Sequence, residues 1–336
     1  MNTTISSSGY IDKIKSGDRQ SLSRAISLIE NDLEQGAEIL LKLKNIPDVP
    51  VLGITGPPGA GKSSLINCLL NHYDSKNKAI AVLAIDPSSP FTGGSFLGDR
   101  IRFTQPDVHN KFFIRSLATR GVLGGISSNT TEIIELLKVA GFDLIIIETA
   151  GIGQNEMDIS YISDITVLVL VPESGDEIQI MKSGITEAAD IVVVNKSDRE
   201  GAENFFQLLM NFLKKNEISQ KIIPVIKTIT NQNTDESNGT INGITTLSDE
   251  IEKRIYNNDE SEKKAKWLRK GLFMLKKILI NRINLEDFEN SLKVEFTNGK
   301  RNLVTMVNDY IQKNYDFSSP SKTKLSKNIS AGRIKS

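Results

Sequence analysis

The chain of 336 residues has one cysteine, two histidines and one tryptophan. A single thiol supports neither a disulfide framework nor a cysteine cluster for a metal, and Cys68, in the helical pattern that follows Asn67, reads as a small buried residue. His72 and His109 stand far apart with no ligand spacing around either, so both read as packing or surface residues. Net charge is also missing: Lys+Arg and Asp+Glu each total 41. No overall field then draws the molecule to nucleic acid or to an anionic membrane, and partners must be recognised locally. No stretch approaches the roughly eighteen apolar residues of a membrane span, and the opening MNTTISSSGYIDKIKSGDRQ has no apolar signal core. The expected location is cytoplasmic.

What is present is an ordinary globular composition, 39% hydrophobic and 24% charged, sufficient to bury a sizeable core. Leu22, Ile26, Ile29 and Leu33, then Ile39 and Leu40, recur at helical spacing and predict one or two amphipathic helices over 18–44. From Val51 short apolar runs alternate with helical stretches: VLGI, AIAVLAI, FFI, DLIIIE, ITVLVLV, DIVVVN and KIIPVIK. Runs of this kind predict an α/β fold with a mostly parallel, doubly wound sheet covered on both faces. The Asn/Thr/Gly-rich stretch Thr228–Gly243 predicts a loop. Helical patterning returns over Ile244–Leu279 and Leu303–Ile311, and the Ser/Lys-rich end has too few apolar anchors to offset its ordering entropy. The expected division is an N-terminal helical extension over 1–48, a nucleotide-binding domain over 49–256, a helical region over 257–315 and a flexible tail over 316–336.

Gly56-Pro57-Pro58-Gly59-Ala60-Gly61-Lys62-Ser63 fits the phosphate-binding pattern G-x-x-x-x-G-K-[ST], and it lies between the strand VLGI and the helical SSLINCLLN that begins at Ser63 and Ser64. In such a loop backbone N–H groups turn toward phosphates, Lys62 reaches the β- and γ-phosphates, and Ser63 offers a hydroxyl to Mg²⁺. A chance match in a chain this long is on the order of one in a hundred. Asn195-Lys196-Ser197-Asp198 follows IVVV, where a doubly wound sheet places ligand loops. A carboxylate at Asp198 can accept from guanine N1–H and the exocyclic amine, which adenine cannot supply, and this selects GTP over ATP. Alone, N-K-x-D is often just a polar turn.

Asp86 and Glu148 end apolar strands, in AVLAIDPSS and LIIIETAG. Acids at such mouths suit Mg²⁺ or water orientation, the alternative being a strand-end cap. In Glu148-Thr149-Ala150-Gly151 the Gly151 N–H stands where it can sense a γ-phosphate. Pro90–Phe103 carries Gly93, Gly94, Asp99, Arg100 and Arg102, and reads equally as a switch or as a plain surface loop. No glutamine directly follows Gly151, Gln154 being three residues on, so slow intrinsic hydrolysis is expected.

The set GDRQSLSRAISLIEN, GITGPPGAGKSSLI, DPSSPFTGGSFLGDRIR, IRSLATRGVLGG, ETAGIGQNE and GDEIQIMKSGITEAADIVVVNKSDREGAE, in this order over about 17–203, resembles the MeaB/ArgK family of P-loop GTPases. The resemblance implies homodimeric GTPases that guard adenosylcobalamin-dependent acyl-CoA mutases, chiefly methylmalonyl-CoA mutase, and gate cofactor delivery from an adenosyltransferase. It implies that Asp99 joins Ser63, Asp86 and Glu148 around the metal and that Gln179 and Lys182 belong to a third switch facing the partner. It also implies that Thr230 and Asn231 belong to a second guanine-contacting loop and that the C-terminal helices form a dimerisation arm. Three other readings remain open. A nickel-insertion metallochaperone shares this architecture but usually carries Cys/His motifs, absent here. A transport-protein kinase is an older assignment for ArgK-like chains, and no kinase catalytic-loop signature is present. The third is a nucleotide-dependent scaffold with negligible turnover.

Overall fold

The structure is a computed structural model that describes residues 6–31, 33–86, 111–118, 129–149, 155–172, 189–215, 222–230, 243–256 and 260–282, with positions 288, 290–291, 293–294, 310 and 313–314. The expected switch over 90–103, the segment 175–182, His109, most of the polar loop after Thr230 and the C-terminal tail lie outside the described residues. By compactness the chain forms two units, Met1–Met274 and Leu275–Ser336.

Helices α1 (Ser7–Lys15), α2 (Arg19–Glu30) and α3 (Glu34–Lys42) precede β1 (Val51–Thr55) and α4 (Lys62–Ser75). Then come β2 (Ile80–Asp86), β3 (Phe112–Ala118), α5 (Thr130–Lys138), β4 (Leu144–Thr149), α6 (Asn155–Ile162) and β5 (Ile165–Leu170). The remaining elements are β6 (Ile191–Val194), α7 (Ala202–Lys215), β7 (Val225–Lys227), α8 (Ile244–Tyr256) and α9 (Glu260–Arg282). The seven strands pair in the order β3-β2-β4-β1-β5-β6-β7, every pair parallel. Each coincides with one of the seven apolar runs. The pattern over 18–44 resolves into α2 and α3, and α1 precedes them within the expected helical extension over 1–48: Ser6 caps it through a bond from Gly9 N, and Tyr10, Ile11 and Ile14 bury one face.

Side chains alternate across the sheet, and each face has its own helical cover. Leu52, Ile54, Val82, Ile146, Val167 and Val193 pack with α4 and α8. On the other face Val51, Leu83, Ile145 and Ile147 pack with α1, α2, α3, α5 and α6. Leu168, Leu170, Val192 and Val194 pack with α7 on that second face. Burial on both sides explains why the strands read as continuous apolar runs.

The amino-terminal edge of the sheet repeats one device three times. Asp143, Asp164 and Asp190 each stand one residue before a strand, β4, β5 and β6, and each grips the start of the neighbouring strand. Asp143 donates its N–H to Ala79 O (2.7 Å) and accepts from Ala79 N on Oδ2 (2.7 Å). Asp164 does the same with Val51 (2.7 and 2.8 Å). Asp190 does so with Thr166 (2.8 and 2.7 Å). Each pair satisfies a strand-end N–H and C=O that no ladder bond reaches.

Helix α6 sits directly on β1 at Gly53, where a Cβ would meet Ile159 Cγ1 at 2.7 Å and Ser163 Oγ at 2.9 Å. Ile159 is fully buried and has no room to yield. Gly53→Ala is therefore expected to lower the unfolding free energy by about 1–3 kcal/mol. Urea unfolding measures it, and an unchanged midpoint would mean that α6 is not seated on β1 this closely.

Candidate functional site

The carboxyl ends of β1, β4 and β6 open on one edge of the sheet, where a parallel α/β fold forms its crevice. The loop after β1 ends at Gly61, which holds a left-handed φ of 86° as the residue before α4, and no side chain caps the helix there. A Cβ at Gly61 would collide with Asn195 Nδ2, so this position needs both the left-handed backbone and the bare α-carbon. Uncapped first-turn N–H groups at a helix start, with the positive end of the macrodipole behind them, suit an anion.

Lys62 is buried and donates from Nζ to Gly56 O (2.8 Å) and Pro57 O (3.0 Å), so its ammonium already rests against the phosphate loop. Ser63 Oγ donates to Glu148 Oε1 at 2.7 Å. Glu148 is buried at the end of β4. One residue on, Thr149 donates its hydroxyl to Thr55 Oγ1 (2.9 Å), joining the last residues of β4 and β1. A serine hydroxyl beside a buried carboxylate is a pair of hard oxygens of the kind Mg²⁺ takes, with phosphate and water supplying the remainder. Among the described residues no three His, Cys, Asp or Glu side chains gather into a fuller cage.

Asn195 is fully buried and bonds in three directions. Its Nδ2 donates to Ala60 O (2.9 Å) in the phosphate loop and to Thr230 Oγ1 (3.3 Å), and its Oδ1 accepts from Thr228 Oγ1 (3.0 Å). The backbone completes the joint: Thr228 N donates to Val194 O (2.9 Å) and Ser197 N donates to Thr228 O (3.1 Å). Lys196 takes a left-handed φ of 55°, which turns the chain so that Asp198 stands exposed at the loop. One buried amide thus ties the phosphate loop to both segments expected to hold a base.

The structure therefore gathers Gly56, Pro57, Ala60, Gly61, Lys62, Ser63, Glu148, Asn195 and Thr230 at one edge. Asp86 ends β2 beside the end of β4, Ile85 pairing with Thr149, and only its backbone is described. Asp99, Gly151 and Lys182 lie outside the described residues. Thr228 was missed by reading it as the start of a polar loop, although a polar residue directly after the strand run KIIPVIK obeys the same rule that singled out Asp86 and Glu148. Cys68 is half-buried on α4, and burial raises its thiol pKa. His72 packs edge-on to Tyr73 with ring centroids 5.8 Å apart, a packing role as expected.

The model of the family described as Methylmalonyl Co-A mutase-associated GTPase MeaB matches residues 22–290. A protein of Pyrococcus horikoshii whose name places it among GTPases is 44% identical over 224 residues, which cover 65% of this chain and 71% of that one. The mitochondrial methylmalonic aciduria type A homolog of Mus musculus is 38% identical over 208 residues, 56% of this chain and 50% of its own length. The crystal structure of an LAO/AO transport system kinase matches with a TM-score of 0.64 at 21% identity, covering 91% of this chain and 97% of that one. That likeness concerns the fold.

Asn195→Ala removes one amide and strands a buried threonine hydroxyl and a buried carbonyl. The expected outcome is a loss of about 2–4 kcal/mol of stability together with at least a tenfold loss of guanine-nucleotide affinity, read by urea unfolding and fluorescence titration. Affinity within twofold of wild type would show that the two loops are held together by something else.

Proposed function

Because the chain belongs to the methylmalonyl-CoA mutase-associated GTPase family, MeaB, we propose that it uses GTP binding and hydrolysis to gate an adenosylcobalamin-dependent acyl-CoA mutase, methylmalonyl-CoA mutase foremost. The observation that carries the nucleotide half is the buried Asn195 carboxamide, which joins the phosphate loop to the loop bearing Asp198. The client half is supported by the family's description and by the identity to the mouse relative.

In this reading Gly56–Ser64 wrap the phosphates of GTP, and Lys62 exchanges the Gly56 and Pro57 carbonyls for phosphate oxygens. Charge-assisted bonds to phosphate are stronger than those to a neutral carbonyl, so the exchange is downhill. Ser63 and Glu148, with Asp86 and Asp99, would hold Mg²⁺, which when bound neutralises charge on the β- and γ-phosphates. Ser63 would offer an oxygen lone pair while its hydroxyl still donates to Glu148, and the Glu148 carboxylate would order water there. Asp198 accepts from the guanine edge, Lys196 and Thr230 flank the base, and Gly151 N–H reads the γ-phosphate. Gln179 and Lys182 meet the partner. The helices of 257–315 make a homodimer, an adenosyltransferase is the source of the cofactor, and the protein works in the cytoplasm.

Two experiments test the two halves. Asp198→Asn is expected to weaken GTP binding by about 2–3 kcal/mol, the scale for losing charge-assisted bonds to a base, and to admit xanthosine triphosphate, whose donor–acceptor pattern is reversed. Unchanged GTP affinity by calorimetry would remove the guanine assignment. For the client half, phosphate release is expected to be slow alone and to rise severalfold or more with methylmalonyl-CoA mutase. Lys182→Ala should lower the stimulated rate far more than the basal one, since it removes an interaction made only in the activated transition state. Equal loss of both rates would sink that role.

A further inference from the structure

The aspartate grips at the amino-terminal edge hold more than the sheet. Asp164 gives one carboxylate oxygen to Val51 N (2.8 Å) and the other to Lys270 Nζ, while its carbonyl accepts from Lys266 Nζ (2.7 Å). Lys266 Nζ also stands 4.0 Å from Asp190 Oδ1. Beside these contacts Tyr161, in the last turn of α6, stacks on Phe273 with centroids 5.4 Å apart and planes 12° from parallel. Lys266, Lys270 and Phe273 are spaced by four and three along α9, which puts them on one helical face. Through that face α9 holds the end of α6 and the residue that grips the first residue of β1.

The other end of β1 carries the phosphate loop, only about 17 Å away for a five-residue strand. Between the two ends α6 is seated on β1 at Gly53 without slack. Ser163, just past α6, donates to Ile159 O (2.8 Å) and shares a hydrogen bond with Thr166 Oγ1 (2.9 Å) at the start of β5. At the nucleotide edge Ser63 is tied to Glu148 and Thr55 to Thr149. A change at Ser63 or Glu148 when a triphosphate replaces a diphosphate is thus delivered to β4 and β1, and the far end of β1 is held by Asp164, which the lysines contact.

We propose that the junction of Lys266, Lys270 and Phe273 with Asp164, Asp190 and Tyr161 is a nucleotide-dependent clip, tight in one guanine-nucleotide state and loosened in the other, through which the site controls helix α9. The proposal rests on the guanine-nucleotide reading of the site and not on the identity of the client. Lysine–carboxylate bonds are steep in distance, so a displacement of about 1 Å converts them to water-separated pairs. The strand grips persist under such a shift because their N–H and C=O partners lie in the sheet itself. The clip can therefore open without unravelling the sheet.

Hydrogen exchange on the full-length chain, with Mg²⁺ and either GDP or a non-hydrolysable GTP analogue, tests this. Amides of 264–275 are expected to exchange at rates that differ about threefold or more between the two nucleotides. In a Lys266→Met, Lys270→Met double variant, which keeps the side-chain stems and helix propensity, that difference is expected to vanish while amides of α4 still respond. Phe273→Leu keeps apolar volume but removes the stack, and it should shrink the difference; it decides the matter if the double variant folds poorly. Equal exchange over 264–275 in the wild type, or a difference of wild-type size in the variants, overturns the proposal. Amides of α4 that ignored both nucleotides would remove the guanine site itself and the coupling with it, a failure visible in that peptide alone.

Discussion

A parallel sheet has two unlike edges, and the molecule is organised by that inequality. At the carboxyl edge the strand ends point their loops into a common crevice, and chemistry collects there. At the amino edge a row of strand-end N–H and C=O groups is left without ladder partners, and each must be satisfied. Asp143, Asp164 and Asp190 do this in the same way, each with one backbone and one side-chain bond to its neighbour. The strands are thereby fixed in register at one edge, which is what lets Ser63, Glu148 and Asn195 meet within hydrogen-bond distance of their partners at the other.

At the carboxyl edge the decisive group is neutral. A buried charge between two loops would need a buried counter-charge, whereas a carboxamide offers donors and an acceptor together without the desolvation cost of an ion. Asn195 uses both donors and its acceptor oxygen, on Ala60, Thr230 and Thr228. The charged groups of the site are arranged differently. Lys62 keeps its ammonium on backbone carbonyls, and Glu148 is met by the Ser63 hydroxyl. A carbonyl or hydroxyl contact of this kind can be exchanged for a phosphate oxygen or a cation.

Much of this was legible in the sequence because each cue was local. Seven apolar runs became seven strands, since strands buried on both faces need no alternation to be recognised. The phosphate loop was readable from its glycines and its place between a strand and a helix. What escaped depended on pairs distant in the chain. FDLI, SDIT and ADIV carry the same aspartate before each strand, but its grip on Ala79, Val51 or Thr166 exists only once the strand order is known. Thr228 looked like the first residue of a polar loop because its partner Asn195 lies 33 residues away. Within the helical extension, α1 shows no bounds of its own in the sequence because Tyr10, Ile11 and Ile14 form only one short apolar patch in a polar segment.

Helix α9 is fastened mainly by charge, and its hold is correspondingly weak. Its docked face spends two lysines and one aromatic ring, and because these lysine and aspartate side chains are largely covered, the cost of taking them from water offsets much of their attraction. Apolar burial would have fastened it more tightly, and the helix has the residues for it: Trp267, Leu268 and Leu272 remain 73%, 48% and 58% exposed. Large side chains clustered on one helix and left in water favour a further contact, because covering them gains roughly 25 cal/mol for each Å² removed from solvent. A helix anchored by weak, directional pairs can change its hold at small free-energy cost while its apolar face stays available to a partner. Docking through lysines at an edge of the sheet and saving the tryptophan and leucines for elsewhere is the arrangement expected of an element that transmits a state, not of one that merely completes a core.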